Sequence, residues 1–160
     1  MLLKDKTAVI TGCNRGIGKK ILEVFSENGA TVFACARSID EKFKSFLKEL
    51  TKKTGSEIIP IQFDLNDEKK IKDAAENILK TNKHIDILIN NAATIHTAIF
   101  QMTSIKKLKE VFEINFFAGV IWNIEVCIVA ALLTKISMDL FEASMLSAAS
   151  FIFFSSFKSN

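Results

Sequence analysis

Residues Ala8 to Gly18 read Ala-Val-Ile-Thr-Gly-Cys-Asn-Arg-Gly-Ile-Gly. The apolar run Ala8, Val9, Ile10 is expected to be a strand buried on both faces, and Gly12, Gly16 and Gly18 break it into a tight turn. A helix follows at once, on which Ile17, Ile21, Val24 and Phe25 recur at helical spacing and are expected to pack on the sheet. Lys19, Lys20, Glu23 and Glu27 then face water. Strand, glycine turn and helix in that order suit phosphate binding. Glycines let the backbone approach a pyrophosphate, and the helix start offers unpaired N–H groups and the positive end of its dipole. A dinucleotide is the natural guest, with Gly12, Asn14, Arg15, Gly16, Ile17 and Gly18 as its candidate cradle.

Outward from this stretch the pattern repeats. Ala30 to Ala36 read as a second buried strand after Gly29, and a helix from about Asp40 carries Phe43, Phe46, Leu47 and Leu50 as an apolar stripe closed by Gly55. Glu57 to Phe63 read as a third strand with Pro60 at its edge, and Asn66 or Asp67 can cap the next helix, whose buried face is Ile71, Ala74, Ala75 and Ile78. Ile85 to Ile89 give a fourth strand. Parallel neighbours need right-handed crossovers, so the alternation predicts an α/β fold, a Rossmann-like doubly wound parallel sheet with helices on both faces. From Thr103 a further helix places Leu108, Val111, Phe112 and Asn115 on one face, which makes Asn115 a polar group on an expected buried face. Phe116 to Leu133 is the most apolar stretch, about as long as a short membrane span. Asn123 and Glu125 near its middle favour a buried or subunit-facing helix over a span in lipid. Thr134 to Ser150 are expected to be helical and Phe151 to Phe154 to form a fifth strand before Ser155 and Ser156. The expected strand order is 3-2-1-4-5.

The totals bound what this fold can do. One domain with a sizeable core accounts for 160 residues. Twenty-one basic against 18 acidic residues leave a formal charge of +3, which makes neither nucleic acid nor an acidic membrane the main partner. Cys13, Cys35 and Cys127 are odd in number and contain no C-x-x-C pair, against both a disulfide framework and a zinc site, so no metal is expected. No secretion signal precedes the first strand, and the cytoplasm is the expected compartment. Fourteen Phe accompany no Tyr.

The end of the second strand decides the nucleotide. An acid there pairs with the ribose 2′-OH of NAD, whereas Arg accommodates the extra phosphate of NADP. Ala36 stands where an acid is expected, followed by Arg37 and Ser38, and Arg15 can reach the same region. Two guanidiniums near one dianion favour NADP, although either Arg can also be a solvated loop charge. Asp64 either accepts from an adenine amino group, with Leu65 near the ring, or caps a helix. Asn90, Asn91, Ala92 and Ala93 keep a crevice open above the fourth strand, with Asn90 expected mainly to brace the backbone. His84 and His96 flank that strand as loop histidines.

The spacing T-G-x-x-x-G-x-G at Thr11 to Gly18, Arg37, Asp64, the Asn-Asn-Ala-Ala turn and Asn115 together resemble the short-chain dehydrogenase/reductase family, continuously from residue 5 to about 119. The nearest general likeness is to its NADP-dependent 3-oxoacyl-thioester reductases. The resemblance implies hydride transfer between NADP(H) and a small-molecule carbonyl or alcohol, with Asn115 holding a water relay and Ser156 a plausible match for the Ser that orients the carbonyl. An ordinary strand-end serine is the alternative for Ser156. Ala93 replaces the family's glycine, and the Tyr-x-x-x-Lys motif that supplies the proton has no match. A carbonyl that takes up hydride needs a proton at the developing alkoxide, and nothing here replaces the phenol. The expectation is therefore a single dinucleotide-binding domain over 1–160, family-like over 1–119 and atypical over 120–160. It reads as a reductase truncated or frameshifted before its catalytic Tyr, and inactive as it stands. A non-catalytic nucleotide-binding or interaction remnant is the alternative, and a homo-oligomer is possible.

Overall fold

The computed structural model describes residues 1–81, 84–98 and 100–134, with the backbone alone given at 100 and 127–134. The chain runs β1 (Thr7–Thr11), α1 (Gly16–Glu27), β2 (Thr31–Ala36), α2 (Glu41–Thr54), β3 (Ile58–Gln62), α3 (Glu68–Thr81), β4 (Ile87–Ile89), a 3-10 turn (Phe100–Met102), α4 (Ile105–Phe112), a π turn (Glu113–Phe117) and α5 (Ala118–Thr134). The four strands form one parallel sheet in the order β3-β2-β1-β4. The expected fifth strand at Phe151–Phe154, Ser156 and all of the helix expected over 134–150 except Thr134, which closes α5, lie outside the described residues.

Successive strand residues point to opposite faces, so the two central strands feed two cores. Ile10, Val32, Ala34 and Ala36 meet Leu22 of α1 and Phe43, Leu47 and Leu50 of α2 on one face. On the other face Val9, Phe33 and Cys35 meet Ile71, Ala74, Ala75 and Ile78 of α3 and Ala118, Trp122 and Val126 of α5. Helix starts follow side-chain caps. Asp40 Oδ1 accepts from Phe43 N at 2.7 Å, Asp67 Oδ1 from Lys70 N at 3.2 Å and Ser104 Oγ from Lys107 N at 3.2 Å. Asp67 is thus the cap of α3, and Asp64 is not. Pro60 lies inside β3, opposite Ala34, and is tolerated because β3 is the sheet edge and leaves one side of its backbone unpaired.

Two expected faces are corrected. On α1 the buried residues are Gly18, Leu22 and Ser26, with Ile21 and Phe25 packed beside them, whereas Ile17 is 76% exposed and Val24 also faces solvent. The helix approaches the sheet through its small residues, which rotates the apolar arc, and Ile17 in the first turn overhangs the end of the sheet. On α4 the expected buried face is open: Leu108 and Phe112 are exposed, Val111 is half-buried and Asn115 is exposed. The π turn inserts a residue into the helical repeat and shifts the packed face, so that α5 docks through Ala118, Trp122 and Val126 at four-residue spacing. Lys72 of α3 meets Glu125 at 3.7 Å, which gives the carboxylate in the apolar stretch an ionic partner. No described helix is long and apolar enough to cross a membrane.

The N-terminal end of β4 is fixed electrostatically. Asp86 accepts from Lys6 Nζ at 2.7 Å and, through its other oxygen, from Thr7 N at 2.9 Å, while its own N–H donates to Thr7 O at 2.9 Å. The Lys6 ammonium first and the Thr7 N–H second hold its carboxyl down at about 2. A carboxyl depressed on folding stabilises the fold above its unfolded value, near ~3.9, and loses that contribution as pH falls through the folded one. Asp86→Asn is expected to cost about 1–2 kcal/mol at pH 7, allowing for the exposed Lys6. In urea unfolding, the gap between wild type and variant should narrow as pH drops from 4 to 2; a gap independent of pH would contradict this assignment.

Candidate functional site

The C-terminal ends of β1, β2 and β3, the turn after β4 and one face of α4 surround a cleft of about 710 Å³. Its floor is the glycine turn. Gly12 N and Cys13 N donate to Cys35 O at 2.8 and 3.2 Å, which ties the turn to the end of β2. A Cβ at Gly18 would run into the Gly12 carbonyl oxygen and Asn91 Nδ2, so only glycine lets α1 start so close beneath the turn. Gly16 has φ +57° and open space above it. Arg15 caps α1 in extended conformation without a side-chain hydrogen bond, so the helix presents free N–H groups and no acidic residue in its first turn.

Asn91 and Thr11 hold the other wall. Asn91 Nδ2 donates to Thr11 O at 2.9 Å and Gly12 O at 3.2 Å, while Thr11 Oγ1 accepts from Asn91 N and Ala92 N at 3.0 and 3.1 Å and donates to Ile89 O at 3.3 Å. The brace expected of Asn90 therefore falls to Asn91. Asn90 Nδ2 instead donates to Asn123 Oδ1 at 3.3 Å, and Asn123 Nδ2 to Gly119 O at 2.7 Å.

Gly12, Asn14, Arg15, Gly16, Ile17, Arg37, Ser38, Asp64, Leu65, Asn91, Ala92 and Ala93 all line this one cleft, with Gly18 packed beneath it. Arg15 and Arg37 make no ion pair or side-chain hydrogen bond among the described residues, which leaves both guanidiniums free for an anion. Asp64 Oδ1 accepts from Asn66 N at 3.0 Å and Asn66 Nδ2 at 2.9 Å, a local turn that fixes the carboxylate at the cleft rim. Asn115 is outside the lining. Its carboxamide donates to Thr94 O and accepts from Thr94 N, both at 2.8 Å, and so clamps the segment that follows Ala92 and Ala93. Ser156 lies outside the described residues.

Thr94, Glu110 and Ile114 also line the cleft, and sequence reasoning did not single them out. The available signal was the i, i+4 spacing of Glu110 and Ile114, the latter directly before Asn115. Burial pushes the Cys13 thiol up to about 12 and that of Cys35 well above its usual range, so neither is a nucleophile for the cleft.

A cradle that a Cβ would fill, an uncapped helix start and two unpaired guanidiniums fit the pyrophosphate and phosphate of a dinucleotide. Fold and cleft together define a nucleotide-binding α/β protein of the doubly wound class. A family model described as "short chain dehydrogenase" matches residues 6–135, and the chain belongs to the short-chain dehydrogenase/reductase family of oxidoreductases, which use NAD(P). It is 38% identical over 114 residues to a Danio rerio protein named peroxisomal 2,4-dienoyl-CoA reductase, covering 71% of this chain and 38% of that one. It is 32% identical over 123 residues to dehydrogenase/reductase SDR family member 7B of the same organism, covering 74% and 40%. A solved structure of L-sorbose reductase from Gluconobacter frateurii, complexed with NADPH and L-sorbose, superposes with a TM-score of 0.75 at 25% identity, over 81% of this chain and 49% of that one. The chain thus spans about two fifths of the length of these curated relatives.

Proposed function

We propose that this chain is an NADP(H)-dependent oxidoreductase of the short-chain dehydrogenase/reductase type, built to interconvert a small-molecule carbonyl and alcohol by hydride transfer. The observation that carries the reading is the convergence of the Gly12–Gly18 turn, the free N-terminus of α1 and the unpaired Arg15 and Arg37 on one cleft, with Ala36 where a ribose-binding acid would stand. When bound, the nicotinamide supplies hydride. The chain's own residues bind and orient: Gly12, Asn14, Gly16, Ile17 and Gly18 shape the pyrophosphate cradle, Arg15, Arg37 and Ser38 hold the 2′-phosphate, Asp64 and Leu65 face the adenine, and Asn91, Ala92 and Ala93 keep the crevice open. Asn115, by gripping Thr94, positions the segment beside the reacting end, and Ser156 is assigned to orient the carbonyl.

No Tyr in the sequence can protonate an alkoxide, so these 160 residues are proposed to bind NADP(H) without turning over a carbonyl substrate. That keeps a second reading, a non-catalytic nucleotide-binding protein. The whole of 1–160 is proposed as a single domain, family-like over 1–119 and atypical beyond, located in the cytoplasm. The exposed stripe Ile105, Leu108, Phe112, Phe116 and Val120 supports a homo-oligomer.

Trp122, the single Trp, stacks on Phe63 of the cleft lining with ring centroids 4.9 Å apart, so its emission reports binding. Titration should show NADPH binding about 10- to 100-fold more tightly than NADH, since one forked phosphate contact is worth about 1.5–3 kcal/mol. Arg37→Ala should remove most of that preference. Equal affinities in wild type would sink the NADP assignment, and steady NADPH oxidation with a ketone, abolished by Asn115→Ala, would sink the inactivity.

A further inference from the structure

Resting on the nucleotide reading above, we infer that Ser38 is a phosphorylation site whose phosphate occupies Arg15 and Arg37 in place of the nucleotide's 2′-phosphate and so switches off NADP(H) binding. Ser38 stands in the link between β2 and α2, which has no regular structure from Ser38 to Asp40, and its exposed side chain lines the cleft together with Arg15 and Arg37. Its Oγ has no hydrogen-bond partner among the described residues, and neither guanidinium has one. The other described serines lack these features. Ser26 and Ser56 are buried, Ser104 Oγ caps α4, and Ser45 lies inside α2 ahead of Phe46, Leu47 and Lys48. Asp40 and Glu41, two and three residues after Ser38, supply the negative charge that an acid-directed Ser/Thr kinase reads in its substrate.

The step moves the γ-phosphoryl group of ATP to Ser38 Oγ. The new O–P bond forms as the bond to the ADP oxygen breaks, and the hydroxyl proton passes to the kinase's base and on to solvent. The product is a phosphate monoester, as the 2′-phosphate of NADP is, with close to two negative charges and three acceptor oxygens that complement a forked guanidinium. It is tethered beside Arg37, so it competes as an intramolecular group at an effective concentration on the order of mM. It also repels the incoming 2′-phosphate. Asp40 and Glu41 are already engaged, with Phe43 N and Lys44 Nζ at 2.7 Å each, so the new charge turns to the arginines. Ser38 precedes the Asp40 cap of α2 by two residues, where the positive end of the helix dipole favours added negative charge. Bound NADPH in turn shields Ser38 from the kinase.

The full chain is to be incubated with an acid-directed Ser/Thr kinase and ATP, with and without saturating NADPH, and the phosphate located by mass spectrometry. Phosphate is expected on Ser38, reduced about 10-fold or more by NADPH, and absent from that peptide in Ser38→Ala. In parallel, phosphoserine is placed at position 38 by genetic-code expansion, and the dissociation constants for NADPH and NADH are measured by calorimetry. NADPH should bind about 10- to 100-fold more weakly than to the unmodified chain, the worth of the forked phosphate contact. NADH, which carries no 2′-phosphate, should change by less than about 3-fold. No phosphate at Ser38, labelling that NADPH does not reduce, or a phosphorylated chain that keeps its preference for NADPH overturns the inference while the nucleotide reading stands. An unmodified chain that binds neither nucleotide, or binds both equally, overturns both.

Discussion

Gly18→Ala is expected to cost about 2–3 kcal/mol of folding stability and to abolish the NADPH binding proposed above. The added Cβ would occupy the space of the Gly12 carbonyl oxygen and Asn91 Nδ2, which are a backbone atom and a doubly engaged amide, neither free to swing away. Relief requires α1 to retreat from the turn, which withdraws its N-terminal N–H groups from the cleft. Gly119→Ala is the control. A Cβ there meets nothing within 4 Å, and alanine in a helix is worth about 0.5–1 kcal/mol over glycine, so that variant should gain stability and bind NADPH as wild type does. Urea unfolding and nucleotide titration of both variants check the pair. A Gly18→Ala protein as stable as wild type would show that the close approach is not a packing requirement.

Trp122→Ala is expected to cost about 3–5 kcal/mol, because the indole is fully buried between α5, α3 and the sheet and stacks on Phe63. The loss should extend to nucleotide affinity, since Phe63 is part of the cleft and would lose the surface it rests on. Trp122→Phe should be mild, within about 1 kcal/mol of wild type. The buried indole N–H has no partner among the described residues, so its removal relieves an unmet donor and offsets the smaller ring. Thermal and urea unfolding separate the two cases. A Phe variant as damaged as the Ala variant would mean that the N–H has a partner after all.

The extent of sequence legibility follows from the range of each interaction. The four strands and the helices between them were legible because burial on both faces leaves continuous apolar runs such as Val9–Ile10 and Val32–Ala36, and crossover helices carry stripes such as Phe43, Leu47 and Leu50. The glycine turn was legible because its close approach to α1 imposes a local backbone geometry, and local geometry is written in glycine spacing. What Asn90 and Asn91 each do was not: adjacent residues of one type point to opposite sides of the chain, and only the packing of β1 against β4 decides that Asn91 reaches the turn.

The sequence alone thus determined the parallel sheet, its order through four strands and the family, all consequences of patterns a few residues long. The tertiary structure alone decided which side of α1 packs, since small residues set the helix–sheet distance. It also decided that Phe112 is exposed while Asn115 grips Thr94, and that α5 beyond the π turn packs through a face shifted by one residue. And it alone brought Glu110, 46 positions along the chain from Asp64, to the same cleft, because contacts between distant segments depend on how crossovers lay one element over another and leave no local mark in the chain.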